Sequence, residues 1–225
     1  MQSNPDRETE LNAHLALSGA LMRYDTVAFL DHLEKAEAIS ETACDKIKCL
    51  NRRLRYASET GEVDEADEII SKLYKLDYKD CPDAEAEVKV SQGNHYDISG
   101  RYPEALEAYL VAERVYRDAG NLKGVGITQM GIGNIYNLTD RNEMAIEYFR
   151  KSWLGLKPVH PLYASWSLNN MATCYNELGL LDSALYFFQE SLKTKLELND
   201  EYGASYSYTD IGAVYFKKEE LEKRA

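Results

Sequence analysis

Small, aromatic and apolar residues recur along this chain at an interval longer than any one helix or strand. Gly93, Tyr96, Gly100, Tyr102, Ala105, Tyr109 and Ala112 are answered 40 positions on by Gly133, Tyr136, Asp140, Asn142, Ala145, Phe149 and Ser152. A third set, Ala172, Tyr175, Gly179, Leu181, Ala184, Phe188 and Ser191, follows 39 positions later. Upstream, Leu54, Ala57, Gly61, Val63, Ala66, Ile70 and Leu73 fill the same slots, and Ala16, Gly19, Ala28 and Ala36 mark a degenerate first unit. Gly212 and Tyr215 open a sixth, expected to stop inside its second helix at Ala225. A fixed interval of this size is the signature of a repeat architecture.

Each interval reads as two antiparallel helices. In the third unit the first helix is expected from Pro82 to Ile98, with Gly100 breaking it at the turn and Pro103 in the first turn of the second helix, where its missing N–H is harmless. Gly93 and Ala105 let the two helices approach closely, and Tyr96 and Tyr109 fill the space beside that contact. One hairpin cannot cover its own apolar face, so stacking supplies the core. The pattern predicts an all-α, single solenoid over residues 9–225 after a disordered tail at 1–8. Its units lie at about 9–40, 41–80, 81–119, 120–158, 159–198 and an incomplete 199–225.

Composition agrees with helices. Hydrophobic residues at 44% and charged residues at 28% suit a packed core rather than disorder, and five prolines and thirteen glycines are too few for a sandwich of short strands. A formal charge of −12 repels phosphate backbones and anionic membrane surfaces, so neither nucleic acid nor direct membrane contact is expected. Cys44, Cys49, Cys81 and Cys174 form no C-x-x-C pair, and His14, His32, His95 and His160 are dispersed. No metal and no cofactor are expected, and four free thiols are favoured over disulfides. Free thiols favour a reducing compartment, and with it a cytoplasmic address. A periplasmic or membrane-tethered one follows if an N-terminal signal has been removed.

The stretches Gly93-Asn94-His95-Tyr96 and Gly133-Asn134-Ile135-Tyr136, with Tyr102-Pro103-Glu104-Ala105-Leu106-Glu107-Ala108-Tyr109 and Glu143-Met144-Ala145-Ile146-Glu147-Tyr148-Phe149, carry a family signature. The chain resembles the tetratricopeptide repeat family, in a longer variant of about 40 residues per unit rather than 34, as found in bacterial regulators of this type. The resemblance covers Glu41 to Ala225 well and Glu10 to Ser40 poorly, and the family's usual tryptophan near the start of the first helix is missing from the clear units. It implies a right-handed superhelix whose concave groove is lined by the first helix of each unit and binds a peptide or partner protein.

Groove slots fall three before, one after and four after the small residue of the first helix. They select Asn51, Arg55, Asn94, Asp97, Asn134, Asn137, Asn169, Thr173 and Tyr206, with Arg52, Trp166 and Asn170 close by. Amides dominate, and an asparagine can donate to and accept from a peptide backbone at once. Each has a second reading: the asparagines as bonds between neighbouring helices, Trp166 as packing, Arg52, Arg53 and Arg55 as a solvated face.

No catalytic residues are assigned. Gly124-x-Gly126 and Gly131-x-Gly133 lack a third glycine at dinucleotide spacing, and no phosphate loop, H-E-x-x-H or G-x-S-x-G occurs. The expected function is therefore a protein–protein interaction module. Its alternatives are a regulatory or sensory arm of a longer bacterial signalling protein, such as a histidine kinase or transcription regulator, and a structural oligomerisation scaffold. An exposed apolar end at Lys223-Arg224-Ala225 is expected to meet further chain or a partner, self-association included.

Overall fold

The structure, a computed structural model, describes residues 5–22, 24–81 and 83–223. Its regular elements among these residues are all helices: α1 (Pro5–Leu21), α2 (Thr26–Ala38), α3 (Ala43–Thr60), α4 (Val63–Leu73), α5 (Ala84–Ile98), α6 (Tyr102–Asp118), α7 (Leu122–Leu138), α8 (Asn142–Leu156), α9 (Pro161–Glu177), α10 (Leu181–Glu197) and α11 (Glu201–Glu222). The fold is the predicted all-α series of consecutive helix pairs. The chain divides into two compact units, Met1–Ala112 and Glu113–Ala225, and the division falls within α6.

Punctuation between paired helices comes from one backbone slot. Gly61, Gly100, Asp140 and Gly179 lie 39 or 40 residues apart, and all have positive φ, between 57° and 80°. A helix that must end and reverse within a few residues uses this left-handed conformation, which glycine adopts freely and aspartate tolerates. The next position in the series is Glu219, which is helical within α11. With Lys217, Lys218, Glu219 and Glu220 all good helix formers, α11 runs straight on. The expected second helix of the sixth unit is absent among the described residues.

Packing repeats with the same period. Ala66, Ala105, Ala145 and Ala184 are each 0% exposed, so the small slots of the second helices lie where neighbours meet. Gly93 lies against the Tyr109 ring and Gly133 against the Phe149 ring, and a Cβ on either glycine would fall 2.6 Å from a ring carbon. Apolar clusters form among the described residues of the first unit. One gathers Leu11, Leu15, Phe29, Leu33 and Ala36 with Cys49, another Ile47, Leu54, Ala57, Ile69 and Leu73 with Val88 of α5. In the second unit Ala172, Leu181, Ala184, Leu185, Phe188 and Val214 form a third.

At the start of α3, Thr42 and Asp45 cap each other: the Thr42 hydroxyl accepts from the Asp45 N–H and the Asp45 carboxylate accepts from the Thr42 N–H. Arg7 donates to the same carboxylate at 2.7 Å and to the Ile39 carbonyl at 2.9 Å. These bonds hold residues 5–8 at the head of α1, although the tail was expected to reach residue 8; residues 1–4 of that tail lie outside the described residues. Burial opposes ionisation of Asp45, but the hydrogen bonds from Arg7, Thr42 and Glu41 outweigh it and hold the carboxyl below its ordinary range. A depressed folded pKa gives stability that is present above the unfolded value of about 4 and lost as pH falls through the folded one. Acid titration followed by circular dichroism should therefore show Asp45→Asn less pH-sensitive than the parent below about pH 4.

Two of the four cysteines are not free. Cys44 and Cys81 form a disulfide with their Cα atoms 5.4 Å apart. The absence of a C-x-x-C pair says nothing of cysteines that the fold brings together from 37 positions apart. Cys81 lies on the connection between α4 and α5, where the Tyr78 hydroxyl donates to the Leu73 carbonyl, and this connection returns to the start of α3. The inference of a reducing compartment loses its premise for that pair. Cys49 and Cys174 are free, as expected, and both are buried; burial pushes their thiols up to about 11 and about 12. Pro82, the expected start of α5, lies outside the described residues; the helix begins at Ala84.

Candidate functional site

In the first unit, α3 and α5 present their groove slots around a cavity of about 310 Å³ lined by Asn51, Arg55, Ser58, Glu59, Ser91, Asn94, Asp97 and Ile98. A neighbouring cavity of about 310 Å³ shares Asn51 and Arg55 and adds Leu15 of α1 with Lys48, Arg52 and Glu87. Five predicted residues thus come together here, Asn51, Arg52, Arg55, Asn94 and Asp97. Their states differ. The Asn51 carbonyl oxygen is buried without a hydrogen-bond partner. Asn94 accepts from the Tyr109 hydroxyl at 2.7 Å, and Arg55 pairs with Glu59 at 2.9 Å, one turn along α3. Arg53 is held by Glu37 through two hydrogen bonds.

Arg52 is half-buried, its guanidinium laid on Gly19 so closely that a Cβ there would sit 2.6 Å from Nη1. Burial, and after it the charge of Arg55, lower the Arg52 pKa. Burial alone raises that of Asp97. An anionic group set beside Arg52, or a donor beside Asp97, would relieve these penalties. His95 is 1% exposed and shares a 3.0 Å hydrogen bond with Ser58.

In the second unit most of the predicted amides are bonded within the fold. Asn170 donates to the Asn134 carbonyl at 3.0 Å, Asn137 donates to Asn142 and to Glu177, and Thr173 bonds back to the Asn169 carbonyl of its own helix. Asn169 is a hub: its side-chain oxygen accepts from Lys195 and Ser207, and its nitrogen donates to Asp210. Beside it lies a cavity of about 290 Å³ lined by Leu162, Trp166, Asn169, Asn170, Lys195, Asp200, Tyr202, Gly203 and Tyr206. Trp166 is 39% exposed and leans on Tyr163, ring centroids 4.6 Å apart, while the Tyr202 and Tyr206 hydroxyls bond to each other.

Sequence reasoning missed Lys48, Glu87 and Ser91, which lie at the cavity walls without occupying a counted slot. It also missed Lys195, on a second helix. The repeat does carry a signal for it: four residues after Ala112, Ser152 and Ser191 stand Tyr116, Leu156 and Lys195. Among the described residues no group of three or more His, Cys, Asp or Glu side chains is placed to hold a metal ion, and no helix is long and apolar enough to cross a membrane.

The tetratricopeptide repeat family model matches residues 124–197, the stretch from α7 to α10. No curated protein matches the chain in sequence. Among solved structures the chain is similar to BtubC (BKLC) from P. vanneervenii, with 16% identity over 99% of this chain and 87% of that one and a TM-score of 0.69. It is similar also to a Signal Transduction ATPase with Numerous Domains protein with a tetratricopeptide repeat sensor from Pyrococcus horikoshii, with 16% identity, 93% of this chain, 33% of that one and a TM-score of 0.75. A Rap protein complexed with Competence and Sporulation Factor shows 16% identity, 99% and 63% coverage and a TM-score of 0.72. At these identities the likeness is one of fold: the helix pairs are of the tetratricopeptide type.

Proposed function

We propose that this chain of tetratricopeptide-type hairpins binds an extended peptide segment on the faces made by its first helices, and that it acts by binding and not by catalysis. Asn51 carries the reading. Its carbonyl oxygen is buried and unpaired where the two cavities of the first unit adjoin. A buried acceptor without a donor costs about 1–3 kcal/mol, and a peptide main chain brings N–H groups at regular intervals to such a face. Arg52 beside it favours an acidic residue in the bound segment, since its charge is disfavoured by burial and regains a partner on binding. The similar Rap structure, complexed with a factor, supports a binding role for the fold.

The test is a peptide library displayed against the purified chain, followed by affinities of selected peptides for Asn51→Leu. Leucine has nearly the same volume and removes the unpaired acceptor, so the free protein is expected to unfold at the same temperature or higher. Affinity should fall about ten-fold, or about 1.4 kcal/mol. Peptides that bind parent and variant alike would sink the reading.

A second reading, a sensory arm of a longer signalling protein, is favoured by the tetratricopeptide repeat sensor of the Pyrococcus horikoshii protein, of whose length this chain spans 33%. In that case the bound segment is a signal, and its effect lies in what the binding does to a neighbouring domain.

A further inference from the structure

In the second unit a lysine occupies a slot that the repeat otherwise gives to the core. Tyr116 and Leu156, its equivalents two hairpins and one hairpin earlier, are 7% and 0% exposed, and Lys195 is 4% exposed. A buried charge is normally paired with its opposite. Here the partners are neutral: Nζ donates to the Ser207 hydroxyl at 2.8 Å and to the Asn169 side-chain oxygen at 3.3 Å. Burial lowers the Lys195 pKa, while Asp200 and Asp210 act against that and favour the charged form. Neither carboxylate bonds to the ammonium: that of Asp200 accepts from the Gly203 N–H at the start of α11, and that of Asp210 accepts from Asn169. An ammonium has three N–H bonds and two are used. Lys195 also lines the cavity walled by Leu162, Trp166 and Tyr206.

We propose that this cavity is a carboxylate subsite: Lys195 takes a ligand carboxylate, and Leu162, Trp166 and Tyr206 hold a large apolar side chain next to it. The proposal rests on the peptide-binding reading and gives it a chemistry, an apolar residue adjoining either a free C-terminus or an aspartate or glutamate. A charge-assisted hydrogen bond formed in a desolvated pocket is strong enough to change affinity by ten-fold or more. The lysine is unfavourable in the free protein for the same reason that it recognises an anion well: burial has removed the water that would compete.

Three pools of fluorescein-labelled octapeptides, each with a fixed leucine at the penultimate or final position, provide the probe. One ends in a free acid, one is amidated and neutral, and one is amidated with a single aspartate beside the leucine. The full chain should prefer one or both acidic pools to the neutral one by about ten-fold, and which of them is preferred identifies the source of the carboxylate. Lys195→Leu restores the residue of the preceding hairpin, leaves Asn169 bonded to Ser207 and Asp210, and should fold at least as stably. It should lose the preference while binding the neutral pool as before.

Equal binding of all three pools to the parent, or a preference that survives Lys195→Leu, overturns the subsite and leaves the peptide-binding reading standing. No binding of any pool overturns both. Should Lys195→Leu not fold, the emission of Trp166 in Trp153→Phe, which leaves it as the one tryptophan, carries the test. A change with an acidic pool and none with the neutral pool supports the subsite, and no difference between pools overturns it.

Discussion

Truncating Phe149 to alanine is expected to destabilise the second unit by about 3–5 kcal/mol, the range for a buried phenylalanine. Its side chain is buried and the ring lies against Gly133, which has no Cβ to follow it inward. The surface against the ring at Gly133 is backbone, so little can collapse into the space left. Urea unfolding followed by tryptophan fluorescence would measure the loss. Both tryptophans, Trp153 and Trp166, belong to the second unit. A lower midpoint with an unchanged slope marks lost stability rather than a changed unfolded state. A loss below about 1 kcal/mol would mean that the Gly133–Phe149 contact does not hold the hairpin together.

Breaking the Cys44–Cys81 bond should have an effect of similar size in the first unit. The two cysteines are 37 positions apart, and closing a loop of that length restricts the unfolded chain by roughly 4 kcal/mol in the chain-entropy account. The bond joins the start of α3 to the connection before α5, the two helices that carry Asn51 and Asn94, so its loss also loosens the candidate peptide face. Circular dichroism melts of the parent in a thiol reductant and of a Cys44→Ser, Cys81→Ser double variant are expected to agree with each other and to lie well below the melt of the parent without reductant. Melts that are indifferent to reductant would refute the expectation.

What could be read from the residues was whatever the repeat imposes on every unit. Gly100, Asp140 and Gly179 have the backbone conformation their slot requires, and Ala105, Ala145 and Ala184 are buried where small side chains were needed. Features that occur once were hidden. The disulfide depends on how the connection between α4 and α5 returns to the start of α3. The asparagines lie on the first helices, but the same donors and acceptors that suit a peptide also suit a neighbouring helix, and Asn134, Asn137 and Asn170 are used that way. Asn51 differs because nothing on its neighbours answers its carbonyl. Lys195 was overlooked because attention to first helices excluded it, although its departure from Tyr116 and Leu156 was visible in the alignment of slots.

The left-handed turn residues at 61, 100, 140 and 179 set the grain at which this chain can grow or shrink. A cut at one of them and a second cut at the next remove one complete period, and the new junction again joins the end of a first helix to the beginning of a second. Removing a single helix instead would send the rest of the chain off in the opposite direction, with its buried stripe facing water. Duplication or loss in such a protein is therefore tolerated in whole steps of 39 or 40 residues, and its length behaves as a count of modules.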